Sequence, residues 1–430
     1  MGARFGLAGR ARWKSAFARE TRAAFEELGP SFVKIGQMMS VRPDVFSPEL
    51  VFELSRLRDS VAPLDTETVR VVIQEEFGRP PEELFEWFDR EPAASASIAQ
   101  VHRARLTCEA RPVWGETLAA GADVVVKVLR PGVEKAVMAD LELGRRLVRI
   151  AGALGAFRRL NADRLLDEFT ASFHREIDLR REARVADRFA FDFRDDPLVL
   201  IPRVVWGRTT RRVLTMECVE GWPLSELDDA RRAGVDAYGL AVHGATAFMR
   251  QVLVLGRFHA DLHPANLFVT PDGRIAYLDF GIVGTLTPKE RDDVAGMLAA
   301  LVFRDAGRAL ERSAALGIKV PVDKAETVRR ELGALMDRTL ADSGGVRDFG
   351  IGFLAILGRH GIEIPVGYGL LVKSLVTVEG VSRALYPEID IVEVARPFVT
   401  RLLARQAVRP ERFYARLPAV ARAALRELSA

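Results

Sequence analysis

His259-Ala260-Asp261-Leu262-His263-Pro264-Ala265-Asn266, followed downstream by Asp279-Phe280-Gly281, is the stretch on which the reading of this chain turns. It sets a lone acid, an amide and a second acid in fixed order. Asp261 is suited to orient or deprotonate an attacking oxygen. Asn266 and Asp279 are suited to hold Mg²⁺, which takes a few oxygen ligands and completes its shell with phosphates and water. That division of labour is the kinase route to phosphoryl transfer. The order Asp, Asn, then Asp-Phe-Gly is far more specific than any one of its parts. A lone His-x-Asp in a loop would mean little. Here the loop follows an apolar helix over 239–255 and precedes strands at 267–269 and 275–278, joined by the turn Pro271-Asp272-Gly273. Gly281 is expected to let the backbone turn sharply. His259 is expected to brace the loop through hydrogen bonds.

Upstream, Lys127 sits inside the β-branched run Val124-Val125-Val126-Lys127-Val128. A lysine within an apolar strand is costly unless its ammonium meets an anion. An edge-strand lysine reaching to water is the plain alternative. With the downstream motif present, a nucleotide phosphate is the better reading, and Glu182 is the best helical carboxylate to steady the lysine. Ahead of Lys127 there is no GxGxxG. The position holds Pro92-Ala93-Ala94-Ser95-Ala96-Ser97-Ile98-Ala99-Gln100-Val101-His102. Alanine restricts φ and adds a methyl group where glycine would not. The loop Ala94, Ser95, Ala96, Ser97, Ile98, Ala99 should therefore be stiffer and grip nucleotide differently. Met216, Glu217 and Val219 follow the last strand of this segment. They are candidates to receive an adenine edge, the alternative being a simple strand end.

Periodicity gives the surrounding layout. Helical spacing runs through 13–28, 48–57 and 66–77, with a helix start at Pro80-Pro81, so residues 1–92 read as a helical extension. Strands are expected at 98–106, 124–128, 198–206 and 211–218, with helix from 134 to 193. The chain from 221 onward is mostly helical. The expected fold class is α+β: a bilobal, protein-kinase-like fold with a small β-containing lobe at 93–219 and a large helical lobe at 220–430.

Composition bounds the rest. The 430 residues are 49% apolar, enough for a large core and for about two or three domains. With 62 basic and 59 acidic residues the net charge is only +3, which gives no support to a nucleic-acid binder. Cys108 and Cys218 have neither metal-type nor CxxC spacing, which fits a reducing compartment. Arg10, Arg12 and Lys14 interrupt the N-terminus before a signal-peptide core can form. No window reaches the ~18 apolar residues of a spanning helix. A cytoplasmic location is expected, with contact at the inner face of the cell membrane left open. The basic amphipathic stretches 145–160 and 401–428 could dock on anionic lipid. Packing on the protein with a solvated arginine face is the weightier reading of each.

These pieces together resemble the UbiB (AarF) family of atypical protein-kinase-like proteins, from about Phe25 to the Asp-Phe-Gly segment and more loosely beyond. Lys34-Ile35-Gly36-Gln37 is similar to the family's KxGQ signature, and residues 94–102 to its alanine-rich loop. Lys127 matches the nucleotide lysine, Glu182 its helix partner, and Glu176 and Asp178 the ExD element. Asp261, Asn266 and Asp279 match the catalytic and metal residues. By spacing alone, Lys34 and Gln37 share one helix face around a packing glycine. The resemblance instead implies pocket residues near Glu176 and Asp178, on an extension lying over the place of a protein substrate. It further implies ATP and Mg²⁺ as cofactors, ATPase or small-molecule or lipid-directed chemistry, and disfavoured protein kinase activity. A lipid or quinone precursor and quinone-biosynthesis proteins are the partners it suggests. Leu262 and Ala265 depart from the Pro and Gly that many members carry, without removing a ligand.

Two other functions fit parts of the pattern. A small-molecule phosphotransferase of the aminoglycoside or choline kinase type shares the His-x-Asp, Asn, Asp order but lacks a KxGQ extension. A nucleotide-sensing scaffold would need no transfer chemistry, although every metal and lysine position is filled here.

Overall fold

A computed structural model describes residues 2–40, 46–54, 56–57, 61–153, 162–224, 226, 228, 234–262, 264–341, 345–362 and 366–407. The chain divides into two compact units. The first takes residues 1–236, 259–283 and 368–373, and the second 237–258, 284–367 and 374–430. The loop from His259 through Asp279 therefore belongs with the N-terminal unit.

Three helices open the first unit: α1 (Gly2–Leu28), α2 (Pro30–Ser40) and α3 (Pro48–Leu54). Ala18, Val33, Leu50, Leu54 and Leu57 form a shared core, with Phe25, Met39 and Phe46 against it. Gly36 is a packing glycine, since a methyl group there would strike Leu57 and Phe25. Helix α4 (Thr66–Phe77) is capped by Asp65, whose carboxylate accepts the Thr68 N–H at 2.8 Å. It ends at Gly78 in the left-handed region, φ 68°. Its buried Val69, Val72 and Ile73 recur at i, i+3, i+4 and face the sheet.

After a single turn, α5 (Pro81–Leu84), the chain becomes a strand, β1 (Phe85–Ser95). The sequence reading carried helix to residue 92, and this is a correction. Most of β1 is exposed and its register to the next strand shifts three times, so it shows no clean period-2 pattern. Pairing places it in the sheet where burial alternation gives no signal. β2 (Ala99–Leu106) and β3 (Asp123–Leu129) follow. In β3, Val124, Val126 and Val128 are fully buried in the sheet core, which puts Lys127 on the opposite face.

The expected run of helix over 134–193 is three helices: α6 (Val133–Ala153), α7 (Ala162–Glu176) and α8 (Leu179–Phe193). The break between α7 and α8 falls at Ile177-Asp178, where Asp178 caps α8. Only Val199–Leu200 of the expected strand 198–206 is regular; this is β4. β5 (Val213–Glu217) completes an antiparallel sheet in the order β1-β2-β3-β5. β6 (Trp222–Pro223), β7 (Arg257–His259), β8 (Leu267–Val269) and β9 (Ile275–Tyr277) follow along the chain. A second sheet runs β4-β9-β8-β6, and its β8–β9 hairpin carries the site loop.

The second unit is helical. α9 (Ala237–Arg250) passes into a π-helical turn, Gln251–Leu255, rather than continuing as α-helix to 255. Then come α10 (Pro288–Val302), α11 (Ala306–Ala315), α12 (Val322–Ala341), α13 (Gly345–Arg359), α14 (Val366–Leu385) and α15 (Ile391–Ala407). A capping box between Thr287 and Glu290 starts α10. Among the described residues, no helix is long and apolar enough to cross a membrane.

Candidate active site

The centre of the site is an ion triad. Lys127 Nζ donates to both carboxylate oxygens of Glu182, at 2.7 and 2.9 Å, and lies 3.5 Å from Asp279 Oδ2. The sheet supplies the lysine, α8 the glutamate and the segment after β9 the aspartate. Glu182 interrupts the apolar stripe Leu179, Ala183, Ala186, Phe189, Phe193 on the buried side of α8. That stripe aims Glu182 inward; Asp192, the other buried acid of the helix, pairs with Arg188.

Charge and burial oppose each other here. Burial works against the Lys127 ammonium, but Asp279 and Glu182 outweigh it and raise its pKa above that of an ordinary lysine. Burial pushes the Glu182 carboxyl up, and Lys127 pulls it only partly back. Burial also opposes ionisation of Asp279, but chiefly the Lys127 charge and the Gly281 N–H at 2.7 Å bring its pKa down to about 2. Asp279 is thus ionised with 41% of its side chain open to solvent, while Lys127 and Glu182 are largely enclosed.

A pH prediction follows. The Asp279 pKa is depressed, so its stabilising pairing is present above the ordinary aspartate range and lost as pH falls from about 4 through about 2. Urea unfolding between pH 6 and 2 should show an acid limb in the wild type that is shallower in Asp279→Asn. Equal limbs would rule this out.

His259 is buried among Phe189, Tyr277 and Phe280. The Asp261 N–H donates to its Nδ1 at 3.2 Å. Nδ1 is therefore the acceptor, so Nε2 carries the proton and donates to the Asp279 carbonyl. His259 thus ties the Asp261 loop to the Asp279 segment, the bracing role expected of it. Asn266 adds a second tie. Its Nδ2 donates to the Asp261 carbonyl at 3.3 Å, and its own backbone carbonyl accepts the Leu278 N–H at 3.0 Å. Asn266 Oδ1 is left as an oxygen donor on the same short loop. The backbone bends at Gly281, as expected, without adopting positive φ. A methyl group there would sit 3.1 Å from Asp279 Oδ1, so a side chain would press on that carboxylate. His263 lies outside the described residues.

Lys34 of α2 forms a tight ion pair with Glu176 at the end of α7, and both are buried. Gln37 lies one turn on and is half-buried. Asp178 takes a different partner, as two positions on different faces must. Its Oδ1 accepts the Arg180 N–H and its oxygens pair with the Arg180 guanidinium at 2.9 and 3.0 Å. Ala94 and Ser95 end β1, Ala96 through Ile98 form the hairpin turn, and Ala99 opens β2. Met216 is buried in β5. The Glu217 carboxylate is held by the Arg203 guanidinium, and its N–H goes to the Arg203 carbonyl at 2.9 Å. Glu217 therefore has only its carbonyl to offer a ligand, with Val219 two residues along the connector. Arg130, Gln100 and His102, not among the sequence candidates for the site, prove to hold the alanine-rich turn. Only the lack of an apolar role for a buried Gln and His could have signalled them.

Oxygen donors from Asn266 and Asp279 suit a hard divalent cation. Among the described residues no cluster of three or more His, Cys, Asp and Glu could hold a metal by itself. Two protein ligands suit a Mg²⁺ that shares its shell with phosphate oxygens.

Comparison with known proteins agrees with this geometry. The ABC1 atypical kinase-like domain matches residues 56–313, more than half the chain, and the UbiB helical domain matches 351–390. The probable protein kinase UbiB of Marinobacter nauticus is 36% identical over 88% of this chain and 68% of its own length. The uncharacterized protein slr1919 of Synechocystis is 34% identical over 91% of this chain and 68% of its own. Among solved structures, Rv3197 of Mycobacterium tuberculosis, in complex with erythromycin, aligns with a TM-score of 0.50 at 23% identity, over 89% of this chain and 98% of that one. That last likeness shows the α+β, kinase-like fold alone. Domain match, sequence identity and the lysine–glutamate–aspartate site lead to one conclusion: the chain belongs to the UbiB family of ABC1 atypical kinase-like proteins.

Proposed function

We propose that this protein binds MgATP and acts as an ATPase or phosphotransferase in isoprenoid-quinone or lipid metabolism. The observation that carries the reading is Lys127 held by Glu182 and Asp279 at 2.7 and 3.5 Å, the arrangement that phosphoryl transfer in kinases requires. Lys127 would meet the nucleotide phosphates. Asn266 Oδ1 and the Asp279 carboxylate would hold Mg²⁺, which supplies charge neutralisation at the phosphates when bound. Asp261, fixed by His259 and Asn266, would orient the attacking hydroxyl and accept its proton. Met216, Glu217 and Val219 border the adenine position, and residues 94–99 the phosphates.

The acceptor side rests on family membership. The Lys34–Glu176 pair occupies space beside the site with buried charge, which suits a small polar or lipid-derived acceptor better than an extended peptide. On this reading the partners are ATP, a lipid or quinone precursor and quinone-biosynthesis proteins, met peripherally at a membrane surface.

MgATP at a hundredfold over its Kd should stabilise the wild type by about 2.7 kcal/mol. A thermal shift of several degrees should appear, and Asp279→Asn should lose most of it. No shift in the wild type would overturn nucleotide binding. Quinone and lipid profiles of a strain lacking the protein, complemented with wild type or Asp279→Asn, test the pathway. An unchanged profile would overturn that part.

A further inference from the structure

The alanine-rich turn makes one closing hydrogen bond of its own, from the Ala96 N–H to the Ala99 carbonyl at 2.8 Å. Most of its other restraint comes from Arg130, which follows β3 three residues after Lys127. The Arg130 N–H donates to the Ile98 carbonyl at 2.9 Å. Its Nε donates to the Ala96 carbonyl at 2.8 Å, and its Nη2 to Ser95 Oγ at 2.7 Å and the Ala62 carbonyl at 2.8 Å. The Arg130 side chain thus grips the β1 side of the turn and the segment leading into α4, while its backbone N–H holds the far side at Ile98.

A second set of bonds joins the same parts. Gln100 Oε1 accepts the Leu64 N–H at 2.7 Å, and its Nε2 reaches the Leu64 carbonyl at 3.4 Å and His102 Nε2 at 2.9 Å. His102 Nδ1 lies 2.8 Å from the Asp89 carbonyl. Gln100 and His102 are fully buried. The Val61 N–H donates to the Ser95 carbonyl at 3.4 Å. Residues 61–64 and 94–100 are therefore stitched into one body, and Arg130 anchors that body to the strand carrying Lys127. Charge-assisted hydrogen bonds of this kind are about twice as strong as neutral ones.

We infer that Arg130 is a positioning residue of the nucleotide site, holding the alanine-rich turn at a fixed distance from Lys127 and coupling it to residues 61–64. This deepens the MgATP reading and rests on it. A glycine-rich loop closes on phosphate by its own backbone freedom. An alanine turn has less of that freedom to adapt to the phosphates, so its amides must be set in place beforehand by contacts from the surrounding fold.

The test uses the full chain with Arg130→Ala and Arg130→Lys, a fluorescent ATP analogue with Mg²⁺ for binding, and ATP turnover. Arg130→Ala should weaken nucleotide binding about tenfold. KM should rise by a similar factor while kcat falls far less, as expected when ground-state binding is lost rather than transition-state contact. Arg130→Lys keeps the charge but not the fork, and should recover only part of the affinity. Hydrogen exchange should speed up in 61–64 and 94–99 together in Arg130→Ala. If Arg130→Ala does not fold, Arg130→Lys carries the comparison. Wild-type binding with unchanged affinity in the variants would overturn the inference and leave the MgATP reading standing. Failure of the wild type to bind would overturn both.

Discussion

Lys127→Met should destabilise the first unit by about 3–5 kcal/mol and abolish ATP turnover. The stability loss comes from stranding Glu182. Its carboxylate is nearly enclosed, and the two hydrogen bonds from Lys127 Nζ outweigh the one it also takes from the Phe280 N–H. Removing one member of a buried pair costs far more than the pair contributes. Burial already raises the Glu182 pKa, and losing the lysine would raise it further and favour the protonated carboxyl. Asp279 would lose its strongest cationic neighbour and rise from about 2 toward the ordinary range. The double variant Lys127→Met, Glu182→Gln removes both charges and should regain most of the stability but none of the turnover. Urea unfolding of the two variants and the wild type checks the first part, and ATP hydrolysis the second. If the double variant is no more stable than Lys127→Met, the stranded-charge account is wrong.

Phe280→Ala should cost a similar amount, about 3–5 kcal/mol, the usual range for emptying a fully buried aromatic site. Its ring lies 5.4 Å from Phe189 of α8 and 5.8 Å from His259, with 1% exposure. Activity should fall more than stability predicts. The ring packs on Phe189 of α8, so its loss frees both the neighbouring Asp279 carboxylate and the helix bearing Glu182. Phe280→Leu fills more of the site and should recover stability ahead of turnover. Unfolding and ATP hydrolysis measured on both variants decide this, and parallel recovery of the two properties would argue against it.

The site was legible because its residues carry their own chemistry. Asp261, Asn266 and Asp279 lie in one ordered stretch, and a lysine among valines needs an anion whatever the fold. Glu182 could be read as its partner because an acid on an apolar helical stripe has few places to go. Other features were not legible, for physical reasons. β1 is an edge strand with charged, exposed positions, so pairing rather than hydrophobic alternation makes it a strand. The break before α8 depends on an aspartate cap, and Asp also occurs within helices. Arg130 looked like any basic residue after a strand. Its value lies in four acceptors, three of them backbone carbonyls, that the fold brings together from distant positions in the chain. Glu217 was read for its place in the connector, but Arg203 engages its carboxylate and its amide.

Glu182 and Phe189 are seven residues apart on α8, two turns along one face. The first holds the lysine and the second receives the phenylalanine that follows Asp279. A rigid rod with two teeth cannot disengage one and keep the other. Charge pairing and aromatic seating are therefore a single mechanical event, and Asp187 on the same helix, accepting the Trp206 Nε1–H at 2.7 Å, adds a further tether.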